Sequence, residues 1–284
     1  MELPPLVALQ TLQQRMNAET ATGWNEYETH RASVMRLVRQ AVREGAQPSA
    51  CVLGAGNCND IDLREMAKLF STVHLVDIDP DAVRRARSRS EEIAQQLTVH
   101  APYDLTGLAR PKDSVSADRT TGDSVLSAIS RLPELDVPKS SCGVVLSASV
   151  LSQLIGTVSL TVGRAATDFA ALLTAMRRAH LQLMFELLEP GGRGILIGEL
   201  ASSEMCDELL RAQTTELPKL TRRLLETQNF FTGMNPFAIA ANDLATAVGN
   251  GFVCEVEIHT PWIWQLNSSR RYLAYGITFQ RDQL

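Results

Sequence analysis

Gly54-Ala55-Gly56 and Asp77 are the residues whose types and spacing most directly suggest chemistry. A glycine turn carries no Cβ, so it can take positive φ and let a ligand come against the backbone. A helix starting just beyond it offers unpaired N–H groups. An acid at the tip of the next strand can accept both hydroxyls of a ribose. The stretch Ala50 to Asp79, ACVLGAGNCNDIDLREMAKLFSTVHLVDID, reads as strand, glycine turn, helix and strand, which brings the glycines and the acid to one edge. Together they describe a site for an adenosine-containing cofactor.

The elements that must position this site follow in order. Residues 5 to 16 and about 27 to 44 read as two helices, with Val34, Leu37, Val38 and Ala41 at helical spacing and a stop at Gly45. Asp60 to Phe70 makes the next helix. Asp79-Pro80-Asp81 is an N-cap, a proline at the first helical position and an acid in the first turn. A third strand is expected at Leu97 to Ala101, a surface excursion over 107 to 141, and a fourth strand at Gly143 to Ala148. A long helix from about Thr167 to Leu188 is broken by Glu189-Pro190-Gly191-Gly192 ahead of a fifth strand, Ile195 to Ile197. Helix-like segments fill 200 to 250, at Glu204 to Gln213, Pro218 to Gln228 and Pro236 to Val248. Alternating runs at Phe252 to His259 and Tyr272 to Phe279 close the chain as an antiparallel pair. Strands and helices alternating in this way imply right-handed crossovers and a mostly parallel sheet.

Composition narrows the function classes. A net charge of -5 argues against a protein built to bind a phosphate backbone, and Arg84, Arg85, Arg87 and Arg89 follow acids along one helix in the sense its dipole favours. Five scattered cysteines without a CxxC pair suggest neither a disulfide framework nor a zinc site, so no metal is expected and a reducing, cytoplasmic setting is. The N-terminus lacks a basic region followed by an apolar one, and no apolar run reaches 18 residues, so no membrane association is expected.

In open α/β sheets ligands bind at the carboxyl ends of the strands. The strand ends here deliver Gly54 to Asn57, then Asp77, then Asp104, then Ser147 and Ser149, then Glu199. With VLGAG at 52 to 56, VHLVDIDPDAV at 73 to 83, VVLSASVLSQL at 144 to 154 and LLEPGGRGILI at 187 to 197, the chain resembles the class I S-adenosylmethionine-dependent methyltransferases over residues 46 to 284. The resemblance implies a seven-stranded, mostly parallel Rossmann-like sheet with a C-terminal antiparallel hairpin. Residues 1 to 45 would be a helical lid and about 200 to 250 a helical insertion. It implies S-adenosylmethionine as cofactor and S-adenosylhomocysteine as product. Gly54, Ala55 and Gly56 would pass close to the methionine part, Asp77 with Ile78 would hold the ribose, Asp104 with Leu105 the adenine, and Ser147 would complete the set. Val52 stands where many members carry an acid, and Asn replaces the third glycine; Asn57, Asn59 or Asp60 would then supply polar contacts to the cofactor's ammonium or carboxylate.

Two other readings stay open on the sequence: an NAD(P)-dependent oxidoreductase and a non-catalytic adenosine-cofactor binder. GAGNCN lacks the third glycine of GxGxxG, which weighs against the first. On the acceptor side, deprotonation would call for a base, and His30, His180, His259 and Glu199 are the candidates. His180 falls on the apolar stripe with Met176 and Met184 and reads as a core histidine, leaving Tyr27, His30 and Glu199 as the preferred catalytic residues. No Asn/Asp-Pro-Pro-Tyr follows strand four and no Pro-Cys pair appears, so the expected acceptor is a small molecule rather than a nucleic acid. Trp24, Phe230, Phe231, Trp262 and Trp264 are candidate pocket walls.

Overall fold

The computed structural model describes residues 3–43, 48–109, 122–131, 134–248 and 252–283. The helix stop read at Gly45 and the 110–121 part of the expected surface excursion lie outside them. Among the described residues no helix is long and apolar enough to cross a membrane.

Apolar runs on both faces of a strand demand a sheet covered on both sides. β1 (Ser49–Leu53), β2 (Thr72–Val76), β3 (Leu97–His100), β4 (Cys142–Ala148) and β5 (Leu188–Ser202) are parallel neighbours in the order β3-β2-β1-β4-β5. β6 (Val253–Ile258), β7 (Trp262–Gln265) and β8 (Arg271–Arg281) complete the sheet, with β8 antiparallel to β5 and wedged between β5 and β6. The seven-strand path is the one expected from sequence. β7, an eighth strand that pairs antiparallel with β8, is additional and carries Trp262 and Trp264. The strand order reverses between β1 and β4, which opens a crevice at their carboxyl ends.

Strand alternation sorts side chains into two cores. Ala50, Val52, Val144, Leu146, Ile195 and Ile197 face one way, beneath α2 (Glu28–Ala41), α3 (Leu63–Leu69) and α4 (Pro80–Ser88). Cys51, Leu53, Val145 and Leu196 face the other, beneath α5 (Gly122–Ile129), α6 (Leu151–Val162), α7 (Phe169–Leu187) and α8 (Leu217–Glu226). In α2, Val34, Leu37 and Val38 are fully buried against the sheet. Each such side chain contributes about 1.5–3 kcal/mol on burial, so α2 belongs to the core. Only α1 (Leu6–Glu19) and the turn after it lie over the crevice.

Four sequence expectations need correction. α6 was not anticipated, because LSQLIGTVSLTV is rich in β-branched residues and carries a glycine. Its buried Leu151, Leu154, Ile155 and Val158 nevertheless recur at helical spacing, and packing outweighs propensity. The helix expected over Glu204 to Gln213 reduces to a 3-10 turn at Asp207–Leu210. The helical run expected from Pro236 onward forms, but through a π-helical stretch at Ile239–Leu244 between the short α9 (Pro236–Ala238) and α10 (Ala245–Ala247). Glu199 lies inside β5 rather than beyond it, at a register shift between Glu199 and Ala201 in the β5–β8 ladder. Such a bulge re-aims a side chain, here toward the crevice.

Gly54 shows how tightly the turn is fitted. Its φ is +76°, and a Cβ there would fall 2.4 Å from the Val150 Cβ at the start of α6. Gly54→Ala therefore combines left-handed strain with overpacking and should destabilise the fold by about 2–4 kcal/mol in urea titrations. Val150→Gly removes the clashing Cβ together with both methyl branches. The double variant should accordingly be more stable than the sum of the single effects predicts, by about 1 kcal/mol or more.

Candidate functional site

The cleft begins where β1 ends. Gly54 and Ala55 donate their N–H groups to the Val76 carbonyl at 2.9 and 3.1 Å, which folds the glycine turn back onto β2. Asp77, at the tip of β2, accepts from the Gly56 N–H through Oδ2 at 2.7 Å and from the Asp79 N–H through Oδ1 at 2.8 Å. Burial pushes this carboxyl up to about 6, against the pull of those backbone donors. Asp79 in turn caps α4, accepting from the Asp81 and Ala82 N–H groups.

α1 is fastened across this loop by side-chain hydrogen bonds. Asn17 donates to Asp79 Oδ2 at 2.9 Å, and Gln10 donates to the Ile78 carbonyl at 3.3 Å. From below, Asn57 Nδ2 donates to the Asn17 carbonyl and Asn59 Nδ2 to the Thr20 carbonyl, both at 2.7 Å. Arg85 donates to Asn57 Oδ1. Arg31 lies 3.5 Å over the Trp24 ring and donates to the Trp24 and Asn59 carbonyls. The Asn-Cys-Asn run thus fastens the N-terminal segment to the glycine loop.

Beneath α1 the cleft is continuous, and its main chamber is about 560 Å³. The inner slot is lined by Asp77, Ile78, Tyr103, Asp104 and Leu105. In the outer chamber Asp60 and Glu199 face a wall of Tyr27, Trp264, Tyr272 and Phe231. Tyr27 meets Trp264 edge-on at 5.2 Å between centroids, Trp264 meets Tyr272 at 5.1 Å, and Tyr272 meets Phe231 at 6.1 Å. Glu199 is 4% exposed and its Oε2 has no hydrogen-bond partner; nor has Asp60 Oδ1 or the buried Trp264 Nε1. Burial pushes Asp60 up to about 7, with the Glu199 charge adding and Arg31 opposing. Burial also pushes Glu199 up to about 7, tempered by the Ser152 and Ser149 hydroxyls.

The residues singled out from sequence divide accordingly. Gly54, Ala55, Gly56, Asp77, Ile78, Asp104 and Leu105 line the cleft, as do Tyr27 and Glu199. Asn57 lines it too, but its amide is engaged by Asn17 and Arg85. The Asp104 carboxylate closes a turn, accepting from the Thr106 N–H and hydroxyl and from the Ala109 N–H. Ser147 is withdrawn: β4 turns it toward α7, where its hydroxyl pairs with His180 Nε2 at 2.8 Å. Ser149, at φ +53°, lines the cleft in its place. His30 is also withdrawn. It is fully buried, stacked on Trp264 at 4.4 Å, and burial holds its pKa down to about 3, so it is neutral and unsuited to act as a base. Trp262 Nε1 donates to His30 Nδ1 at 3.0 Å, so the His30 proton sits on Nε2, 3.7 Å from Asp60 Oδ1. His180 is a core residue as expected, and His259 pairs with Thr278 outside the cleft. Of the aromatic candidates, Phe231 and Trp264 line the cleft; Trp24, Phe230 and Trp262 do not. Among the described residues no group of three His, Cys, Asp or Glu side chains could hold a metal.

Ser152 and Tyr272 were missed. Ser152 lies on the unanticipated α6, and Tyr272 belongs to an ordinary alternating strand whose sequence gives no sign of a cleft. Asp60 was read only as a contact for the cofactor's methionine end.

No protein-family model and no curated protein matches the sequence. Solved structures do match. A phosphoethanolamine N-methyltransferase from Haemonchus contortus, in complex with phosphomonomethylethanolamine and S-adenosylhomocysteine, superposes with a TM-score of 0.51 at 12% identity, over 93% of this chain and 58% of that one. The N-methyltransferase NodS from Bradyrhizobium japonicum, with S-adenosylhomocysteine, gives 0.41 at 14% identity over 88% and 86%. An S-adenosylmethionine-dependent methyltransferase from Methanosarcina mazei gives 0.44 at 13% over 87% and 97%. At such identities the likeness is one of fold, and the fold is that of the class I S-adenosylmethionine-dependent methyltransferases.

The acid pair makes a signed prediction. Unfolded, Asp60 and Glu199 ionise near 3.8 and 4.5; folded, both ionise near 7. Below about pH 3 both states are protonated and the acids are neutral to stability; as pH rises toward 7 the unfolded chain ionises first and stability falls. His30 acts in the opposite range: its depressed pKa removes stability as pH falls below about 6.5. An Asp60→Asn/Glu199→Gln variant without ligand should therefore exceed the parent by about 1–3 kcal/mol at pH 8, the gap narrowing toward pH 4. Urea unfolding across pH measures it; a gap independent of pH would show that the acids do not titrate as a buried pair.

Proposed function

We propose that this protein transfers a methyl group from S-adenosylmethionine to a small-molecule acceptor, releasing S-adenosylhomocysteine. The observation that carries the reading is the Asp77 junction. Each Asp77 oxygen takes one backbone N–H and keeps a second lone pair, the capacity that two ribose hydroxyls require, and the residue sits where the inner slot meets the main chamber. Gly54 and Gly56 line the chamber beside it at positive φ, so the methionine part would pass along main chain rather than side chains. Ile78, Tyr103 and Leu105 supply apolar surface for a base, and three of the Asp104 acceptor positions already serve its own turn. The donor set therefore fits the cofactor.

When bound, S-adenosylmethionine supplies a sulfonium methyl already activated toward a nucleophile. The chain's own task is to bind, align and exclude water. Holding two reactants in near-attack geometry contributes about 7–11 kcal/mol to lowering a barrier. Tyr27 and Glu199, with Asp60, are the acceptor-side residues in this reading, and α1 with its following turn serves as the lid. All five cysteines are free and four are buried, which supports a reducing compartment, and we place the protein in the cytoplasm.

Calorimetric titration with S-adenosylhomocysteine, NAD(H) and NADP(H) tests this directly. Saturable binding of S-adenosylhomocysteine without nicotinamide binding is expected; nicotinamide binding alone would overturn the reading in favour of an oxidoreductase. Asp77→Asn should weaken S-adenosylhomocysteine about 10–100-fold, the loss for hydrogen bonds to a charged acceptor. Asn17→Ala should raise its dissociation rate in stopped flow, since one fastener between α1 and the Asp79 carboxylate is gone. Unchanged release would show that α1 does not gate the site.

A further inference from the structure

The outer chamber combines features that ordinary packing does not explain. Two carboxylic acids from distant parts of the chain line one chamber, and among the described residues no lysine or arginine is bonded to their buried, unpartnered oxygens, Asp60 Oδ1 and Glu199 Oε2. Buried polar atoms without partners are rare in folded proteins, and an acid pair with no cation hydrogen-bonded to it destabilises the empty fold. Around them stand the rings of Tyr27, Trp264, Tyr272 and Phe231, joined in a continuous series of tilted and edge contacts. Ring faces attract cations, and carboxylates accept N–H donors. Against a neutral or anionic ligand the acids would be unfavourable, because each would be desolvated without compensation.

We infer that Asp60 and Glu199, within the wall of Tyr27, Trp264, Tyr272 and Phe231, form an ammonium-binding pocket, and that the methyl acceptor is a small amine. The inference rests on the methyltransferase reading for its chemistry but not for its binding geometry. The amine enters as R–NH3⁺ and its N–H groups are taken by the Asp60 and Glu199 carboxylates that line the chamber. One proton then passes to Asp60 or Glu199, leaving R–NH2 with a lone pair. That lone pair forms the N–CH3 bond as the C–S bond of the sulfonium breaks, the bonding electrons staying on sulfur. The products are R–NH2CH3⁺ and S-adenosylhomocysteine, with the proton held on the carboxyl until release.

The two acids suit this exchange because burial brings both to about 7. Glu19, Arg164 and Arg270 also line the chamber, and Arg270 is paired with Glu204. Arg31 opposes the rise of Asp60 but donates to the Trp24 and Asn59 carbonyls. His30 is neutral, with its Nε2–H toward Asp60. The Tyr27, Tyr272 and Tyr275 hydroxyls and the buried Cys58 thiol are all pushed up and stay protonated at neutral pH. His30, fixed by Trp262 and stacked on Trp264, keeps its Nε2 3.7 Å from Asp60 Oδ1, beyond hydrogen-bond reach.

The test is equilibrium binding to the full chain saturated with S-adenosylhomocysteine, followed by tryptophan fluorescence and calorimetry. The probes are ethanolamine, benzylamine and tryptamine, each paired with its hydroxyl isostere: ethylene glycol, benzyl alcohol and tryptophol. At least one amine should bind about tenfold or more tighter than its isostere, and Asp60→Asn/Glu199→Gln should abolish that preference. The variant keeps side-chain volume and should be no less stable than the parent at pH 8, so loss of binding is not loss of fold. No amine preference in any pair, or a preference unchanged in the variant, overturns the inference while leaving a positive S-adenosylhomocysteine titration intact. If S-adenosylhomocysteine fails to bind, the same amine pairs are titrated against the free chain. A preference there upholds the pocket and overturns only the methyltransferase reading.

Discussion

The Asp77 carboxylate holds the candidate site together. A buried carboxylate must find donors, and this one finds the N–H groups of Gly56 and Asp79. The first bond fixes the glycine turn against β2; the second fixes the start of α4. Asp79 then caps α4 with one oxygen and receives Asn17 of α1 with the other. A single acid at a strand tip thus sets the loop, the following helix and the cover above them. The Asn57 and Asn59 amides reinforce the same arrangement from below. A third glycine in place of either asparagine would have no side chain with which to hold the N-terminal segment.

The two halves of the cleft are built on opposite principles. In the inner half nearly every polar group is paired within the protein: Asp77 to backbone, Asp104 to its own turn, Asn57 to α1 and Arg85. What remains for a ligand is backbone surface, spare lone pairs and apolar walls. In the outer half the acids and an indole N–H stand without partners. Polar atoms left unpaired in a fold otherwise well satisfied mark the place where local stability yields to a ligand. In the proposed reading the cofactor would occupy the inner half and the acceptor the outer.

Much of the fold could be read from the sequence, because strands buried on both faces leave continuous apolar runs and the glycine turn, Asp79-Pro80 and Pro190-Gly191-Gly192 punctuate them. The inner half was legible for the same reason: Gly54, Gly56 and Asp77 occupy one strand-helix-strand unit, so their proximity is local. The outer half was not. Tyr27, Asp60, Glu199 and the hairpin pair Trp264–Tyr272 come from four separate segments and meet only after the sheet has closed. Glu199 further depends on a bulge in the β5–β8 ladder, which no period in the sequence announces. Ser147 and His30 fail as site residues through burial: one falls on the α7 face of β4, the other beneath two indoles. The helical spacing of Leu151, Leu154, Ile155 and Val158 was present to be read, and β-branched composition hid it.

The N-terminal helices connect the two halves physically. α1 covers the inner slot, while α2, the next helix, carries His30 into the layer beneath the aromatic wall. Trp262 donates to His30, which stacks on Trp264 and directs its remaining N–H toward Asp60. Because Trp262 can only donate, the tautomer of His30 is fixed, and with it the side from which Asp60 is approached. Arg31, the neighbour of His30, bonds the Asn59 carbonyl immediately before Asp60. The N-terminal segment and the loop carrying Asp60 are thus both tied to two adjacent residues of one core helix, His30 and Arg31.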